Sequence, residues 1–231
     1  MDLLQLECCH ICQKPLSSDS HGLCQQCWQL WPVIPNPCLI CSVPISTTTH
    51  IQQICGHCLQ RLPAYDFVIS GGVYEGIAAW LIKQLKYHDR PLHIRPLARA
   101  LLQIIEQRSA DLPEVLIPMP LHWTRKWHRG FNQSYLLANA IGRQLQIPVE
   151  PDLVKRLKRT PPLEGLDRKT RQRLLQNVFT TNGPIPATTV AIVDDVVTTG
   201  ASIQALSMAL KKQGVQQVQV WTVARTAHSG P

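Results

Sequence analysis

No apolar run in the 231-residue chain approaches the roughly 18 residues that a membrane-spanning helix needs, so no membrane insertion is expected. The start, MDLLQLECCH, lacks the basic and long apolar stretches of a secretory signal, and the expectation is a cytoplasmic protein. No Gly-x-x-x-x-Gly-Lys-Ser/Thr loop is present, which argues against a nucleoside triphosphatase. Acidic residues are scarce, 15 against 23 lysines and arginines, for a formal net charge of +8. The imbalance is uneven. Residues 1–63 carry Asp2, Glu7 and Asp19 against only Lys14 and Arg61, so the basic excess lies in residues 64–231. A basic surface there favours anionic partners, either nucleic acid or phosphate-bearing small molecules, and charge alone does not separate the two.

Cysteine, in contrast, is abundant at the front of the chain. Eight of the nine cysteines form four Cys-x-x-Cys pairs, Cys9/Cys12, Cys24/Cys27, Cys38/Cys41 and Cys55/Cys58. In a reducing compartment such pairs are metal ligands before they are disulfides. The segment is also a repeat. CHICQKPLS…LCQQCWQLWP and CLICSVPIS…ICGHCLQRLP share Cys-x-Ile-Cys-x-x-Pro-apolar-Ser, a spacer, then apolar-Cys-x-x-Cys-x-Gln-x-x-Pro. Each half supplies four thiolates, enough for one closed tetrahedral Zn2+ site, and two tandem zinc ribbons with two structural ions are expected. Duplication favours sequential ligation over cross-bracing, because each unit must once have folded by itself. Cys8 stands outside the spacing. His10, His21, His50 and His57 are expected in solvent or beside the sites, since thiolates already fill both.

The composition changes after RLPAYD. FVISGGVYEG reads as a strand and turn, IAAWLIKQLKYHD and RPLARALLQIIEQ as helices, EVLIPMP as a buried strand stopped by its prolines, and SYLLANAIGRQLQI as an amphipathic helix. A basic, proline-rich stretch, VKRLKRTPPLEGLDRKTRQRLL, suggests a mobile loop or short helices. TVAIVDD, the helix SIQALSMALKKQG and the strand VQQVQVWTVAR close the chain. Alternating strands and helices predict an α/β fold, an open and mostly parallel sheet with flanking helices, over residues 64–231, with the double zinc ribbon as a separate domain over 1–63. Such sheets bind ligands at the carboxyl ends of their strands.

The stretch VAIVDDVVTTGAS offers the chemistry. Residues 190–193 are apolar throughout, as in a central strand covered on both faces, which puts Asp194 and Asp195 at its carboxyl end. A helix follows whose first turn offers unpaired N–H groups and a positive dipole end. Thr198, Thr199 and Ser202 add hydroxyl donors, and Gly200 lets the backbone approach a ligand oxygen. Carboxylates would repel a phosphate unless they accept hydrogen bonds from something neutral attached to it. The vicinal hydroxyls of a 5-phosphorylated ribose meet both requirements. A capped helix after a surface turn would explain one of these polar residues but hardly all five.

VAIVDDVVTTGAS resembles the ribose-phosphate motif of type I phosphoribosyltransferases, and the chain over nearly its full length resembles the ComF family, whose members join an N-terminal zinc module to such a domain. IKQLKYHDR, IPMPLHWTRKWHRGFNQS and RTPPLEGL…R support the likeness. The resemblance implies a type I phosphoribosyltransferase-like fold that binds phosphoribosyl diphosphate with Mg2+. Asp194 and Asp195 would hold the ribose 2- and 3-hydroxyls. Thr198, Thr199, Gly200, Ala201 and Ser202 would hold the 5-phosphate. The strand end 118–122, with Pro120, Leu121, His122, Arg125 and Arg129, would form the pyrophosphate loop. Guanidinium forks suit a diphosphate, and preplaced cations suit the charge of a departing pyrophosphate. Asp194, Asp195 and Arg129 would then be the catalytic set. Lys83 and Lys86 are further candidates, against the alternative of a solvated helix face.

Three functions follow. The first is a phosphoribosyltransferase-like protein acting in DNA uptake for natural transformation, as the ComF resemblance implies, with an acceptor the sequence does not name. The second is a non-catalytic module binding single-stranded DNA, with Trp123, Trp127 and Phe131 stacking on bases within a basic segment, and DNA-uptake proteins as further partners. The third is a nucleotide-salvage phosphoribosyltransferase, for which VWTVARTAHSGP offers no recognisable base pocket. The ribbons are compatible with support of the fold, recruitment of a partner or contact with nucleic acid.

Overall fold

A computed structural model of the chain describes residues 7–17, 20–45, 53–87, 90–108, 112–121, 131–157 and 178–227. Its centre is a sheet of four parallel strands, β1 (Phe67–Ser70), β2 (Val115–Pro118), β5 (Thr189–Val197) and β6 (Gln217–Arg225), in the order β1-β6-β5-β2. The short strands β3 (Val154–Arg156) and β4 (Phe179–Thr181) form a separate antiparallel pair. Sequence patterning missed that hairpin because each strand is only three residues long and a long basic segment separates them.

The helices are α1 (Gln25–Trp28), α2 (Gly56–Gln60), α3 (Gly76–Tyr87), α4 (Ile94–Arg108), α5 (Gln133–Leu145) and α6 (Ala201–Lys212). α1 and α2 belong to the cysteine-rich segment, whereas α3, α4 and α5 cover one face of the sheet and α6 the other, and strand alternation divides the core accordingly. Ala191 and Val193 of β5, Trp221 and Val223 of β6, Ile69 and Leu116 pack with the buried sides of α3, α4 and α5. The intervening Val190, Ile192, Val218, Val220, Val68 and Ile117 pack with Ile203, Leu206 and Leu210 of α6 and with Val154 and Phe179 of the hairpin. Residues 190–193 are thus buried on both sides, as a central strand requires. Among the described residues no helix is long and apolar enough to cross a membrane.

β5 runs further than its apolar core suggests. The strand continues through both aspartates to Val197, where the expectation had the aspartates as its carboxyl end. The cause is its neighbour: β6 is equally long, and Asp194 pairs with Thr222, Val196 with Ala224 and Val197 with Arg225. The acids therefore sit within the last turns of the ladder rather than beyond it.

The two ribbons attach differently. The first sends Cys9, Leu23, Cys27 and Trp31 into the same buried cluster as α3, α4 and α5. Trp31 Nε1 donates to Gly71 O at 2.8 Å, and Val73 N donates to Pro32 O at 2.8 Å. The contact is close enough that a Cβ on Gly72 would lie 2.6 Å from Pro32 O and 2.8 Å from Trp31 Nε1, so only glycine fits. The second ribbon has its own small core of Cys38, Cys41, Val43 and Cys58 and lies along β1. Val68 N donates to Ile40 O at 2.8 Å, and Ser42 Oγ donates to Val68 O at 2.6 Å. β1 is a terminal strand of the sheet, and this contact covers its outer backbone.

Candidate functional site

The carboxyl end of β5 gathers groups from three elements. Asp195, only 7% exposed, accepts from Lys86 at the end of α3, with Nζ to Oδ2 at 2.9 Å. Asp194 Oδ1 accepts from Ser134 Oγ at 3.0 Å and from the Asp195 N–H at 2.9 Å. Ser134 is placed by its own helix start. Asn132 caps α5 by accepting from Ser134 N at 3.0 Å, and its amide donates to Met119 O at 3.2 Å, just beyond β2. The Asn132–Ser134 stretch of the RGFNQS motif is therefore pinned between strand β2 and the acidic pair.

Electrostatics follow from this packing. Burial, and then the neighbouring Asp195 charge, push the Asp194 carboxyl up to about 7, against the opposing pull of Lys86, the Asp195 N–H and the Ser134 hydroxyl. Burial works against the Lys86 ammonium. The two carboxylates outweigh it, and the lysine is held above its ordinary value. Lys86 is thus bound to the acids, whereas Lys83 is exposed.

Beyond Val197 the chain makes the turn that leads into α6. Gly200 adopts φ 74°, the left-handed region that favours glycine, and no side chain caps the helix. Thr198 and Thr199 are exposed, and Ala201 and Ser202 are half-buried in the first turn. Thr199 Oγ1 accepts from Ala201 N at a long 3.4 Å. The turn therefore presents hydroxyls and a helix N-terminus on the same end of the sheet as the two carboxylates. Of the expected pyrophosphate loop, Pro120 is buried and Leu121 half-buried after β2. His122, Arg125 and Arg129 lie outside the described residues, as do Trp123, Trp127 and most of the basic stretch VKRLKRTPPLEGLDRKTRQRLL. Phe131 packs against the core cluster of α4 and α5, which argues against its use as a stacking platform.

Each ribbon collects its own four thiols. Cys9, Cys12, Cys24 and Cys27 form one group and Cys38, Cys41, Cys55 and Cys58 the other, with the sulfurs of each set within 4.8 Å of one another. The grouping is sequential. Backbone amides support the sulfurs: Cys24 N donates to Cys9 Sγ at 3.4 Å and Cys55 N to Cys38 Sγ at 3.3 Å. Burial pushes the Cys9 thiol up, but the N–H groups of residues 12, 24 and 11 outweigh it and hold it at about 6. Four thiols converging in this way suit a closed tetrahedral zinc site. His21 and His57 are exposed. His10 instead packs edge-on to His93 in the seam with the α/β domain, their Nδ1 atoms 3.0 Å apart.

Two contributors escaped the sequence reading. Ser134 lay inside a quoted motif but carried no signal separating it from any other serine near a helix start. Arg225 did carry one: a charged residue closing the buried strand VQVWTVAR needs acceptors, and the loop after β5 supplies them.

These features define a class: an α/β domain built on a four-stranded parallel sheet with flanking helices, preceded by a module of two four-cysteine clusters of the zinc-ribbon kind. The chain is 35% identical over 232 aligned residues to Competence protein F of Haemophilus influenzae, covering 97% of this chain and 99% of that protein. It is 33% identical over 222 residues to the DNA utilization protein YhgH of Escherichia coli strain K12, covering 94% and 96%. The chain belongs to the ComF family. No family model matches it. Among solved structures it overlaps a glutamine phosphoribosylpyrophosphate amidotransferase from B. subtilis at 17% identity and a TM-score of 0.39, over 60% of this chain and 30% of that one.

Proposed function

We propose that the carboxyl end of β5 binds phosphoribosyl diphosphate with Mg2+, and that the protein acts in DNA uptake, as the names of its relatives suggest for them. The observation that carries the reading is the acidic pair held by Lys86 and Ser134 beside an uncapped helix N-terminus. Asp194 and Asp195 accept from the ribose 2- and 3-hydroxyls. The N–H groups and hydroxyls of 198–202 donate to the 5-phosphate.

An acidic pair would ordinarily repel so anionic a ligand. Here Lys86 neutralises one carboxylate, and the raised pKa of the other keeps part of the population uncharged until the ligand arrives. When bound, Mg2+ would screen the diphosphate and polarise the bond at C1 of the ribose. Pro120, Leu121, His122, Arg125 and Arg129 supply the pyrophosphate side in this reading, with Arg129 in the catalytic set. The two four-cysteine clusters hold zinc structurally.

Titration calorimetry with phosphoribosyl diphosphate and Mg2+ tests the site. The unaltered protein is expected to bind, and the variant carrying Asp194→Ala with Asp195→Ala to lose binding. Equal affinity of the two would refute the assignment. A pyrophosphate-release assay with pooled acceptors, using the same variant as control, tests turnover.

A further inference from the structure

Arg225 closes β6 at 3% exposure, and a guanidinium so deeply buried has to be met by acceptors. Backbone carbonyls meet it. Its Nε donates to Cys41 O at 3.2 Å, and its Nη1 donates to Val197 O at 2.9 Å and to Thr198 O. A further bond from Nη1 reaches Thr226 Oγ1 at 3.3 Å. The arginine's own backbone is fixed on both sides: its N–H donates to Gly72 O and its carbonyl accepts from Tyr74 N, each at 2.9 Å.

These acceptors belong to two different places. Cys41 is a thiol of the second cluster, and its carbonyl is part of the Cys38–Cys41 knuckle turn, where Ser42 N donates back to Cys38 O at 2.9 Å. Val197 and Thr198 are the last strand residue and the first turn residue before the helix start of α6. A planar guanidinium donates in fixed directions, so the carbonyls it joins cannot shift independently. Tyr65 lies under the same turn, its hydroxyl 3.9 Å from where a Cβ on Gly200 would stand.

We propose that Arg225 is a positioning residue through which the second cluster, when it holds zinc, sets the shape of the 198–202 turn. The inference rests on the reading of that turn as a phosphate cradle. The ion ties the Cys41 peptide to the sulfurs of Cys38, Cys55 and Cys58, and Arg225 transmits that position to the carbonyls at the turn's entry. Loss of the metal leaves the Cys41 carbonyl free to rotate, the fork loses one of its fixed points, and the donors of the turn spread. The second ribbon then acts as part of the binding site without touching the ligand. The first ribbon, whose cluster meets α3, α4 and α5, reaches Arg225 through its backbone instead, by way of Pro32, Val73 and Gly72, and gives its guanidinium no acceptor among the described residues.

The test uses the full-length zinc-loaded protein and two variants. Arg225→Lys keeps the charge but lacks the fork. It is expected to retain two zinc ions per chain, bind phosphoribosyl diphosphate with Mg2+ about 10- to 100-fold more weakly, and exchange the backbone amides of 197–202 faster. Cys55→Ser, which opens the second cluster, is expected to quicken exchange at 197–202 while the amides of α5 keep their protection. Wild-type affinity in Arg225→Lys overturns the inference while leaving the binding site standing. So does unchanged exchange at 197–202 in Cys55→Ser, a result that decides the matter even if the arginine variant does not fold. No binding by the unaltered protein would instead overturn the cradle reading, and the inference with it.

Discussion

Replacing Lys86 by methionine removes the cation that the described residues set against the acidic pair and keeps the length of the side chain. The lysine side chain is 21% exposed and the side chain of its partner Asp195 10%, so the pair is mostly desolvated. Breaking a buried pair by deleting one partner costs about 3–5 kcal/mol, and the remaining exposure of Lys86 puts the expected loss at the lower end, about 3 kcal/mol at pH 8. For a chain of this size that corresponds to a melting shift of about 6–12 °C.

The loss is expected to depend on pH with a definite sign. Asp194 has a folded-state pKa raised above its ordinary value, to about 7, so its protonated form favours the fold, and that contribution is lost as pH rises through 7. Lys86 opposes this rise, and without it Asp194 holds its proton to still higher pH. Wherever the folded variant keeps one proton more than the folded wild type, the gap between them widens by about 1.4 kcal/mol per pH unit. With that widening confined to pH above about 7, melting curves at pH 5.5 and pH 8 are expected to show a deficit about 1.4 kcal/mol smaller at the first than at the second. The exposed Lys83→Met serves as control and should stay within about 0.5 kcal/mol of wild type at both. A Lys86→Met deficit that is the same at both pH values, or no larger than that of Lys83→Met, would refute the electrostatic account.

In the proposed site the same group bears on ligand binding. Binding that needs Asp194 ionised should tighten as pH rises through about 7 and release protons near pH 6.5; calorimetric heats that do not vary with the buffer's ionisation enthalpy would rule this out. Native mass spectrometry should find two zinc ions per chain. Because Cys9 and Cys27 lie in the main core, stripping them should shift a single calorimetric transition downward, and two independent transitions would speak against the shared core. Gly72→Ala pushes a methyl group into Pro32 O and Trp31 Nε1 and is expected to destabilise by about 1–3 kcal/mol in urea titration, with wild-type stability counting against the close seam.

Much of the fold was legible because its signals are local and strong. β1, β2, β5 and β6 are apolar runs between turn residues, α3 to α6 have clear helical periodicity, and the eight paired cysteines announce the ribbons by spacing alone. The illegible parts are those decided by partners. Nothing in VAIVDDVV says that the strand continues past the acids, since β6 fixes that length. Lys83 and Lys86 look alike on a helix, and only the docking of α3 decides that one meets Asp195 while the other faces solvent. The site was readable as a chemistry of carboxylates and hydroxyls, but its supports were not, because Ser134 and Arg225 reach it from elements far away in the chain.

The lie of the second ribbon along β1 also bears on solubility. A terminal strand with open N–H and C=O groups is a template for pairing with another chain, and proteins blunt such edges with charge, bulges or a covering segment. Here Val68 N is taken by Ile40 and Val68 O by Ser42. The knuckle of the second ribbon thus serves as a guard rail for the sheet. A chain truncated before β1, even one that kept every residue of the acidic site, would be expected to self-associate through its bare strand, with monomer restored by blocking that edge rather than by adding ligand.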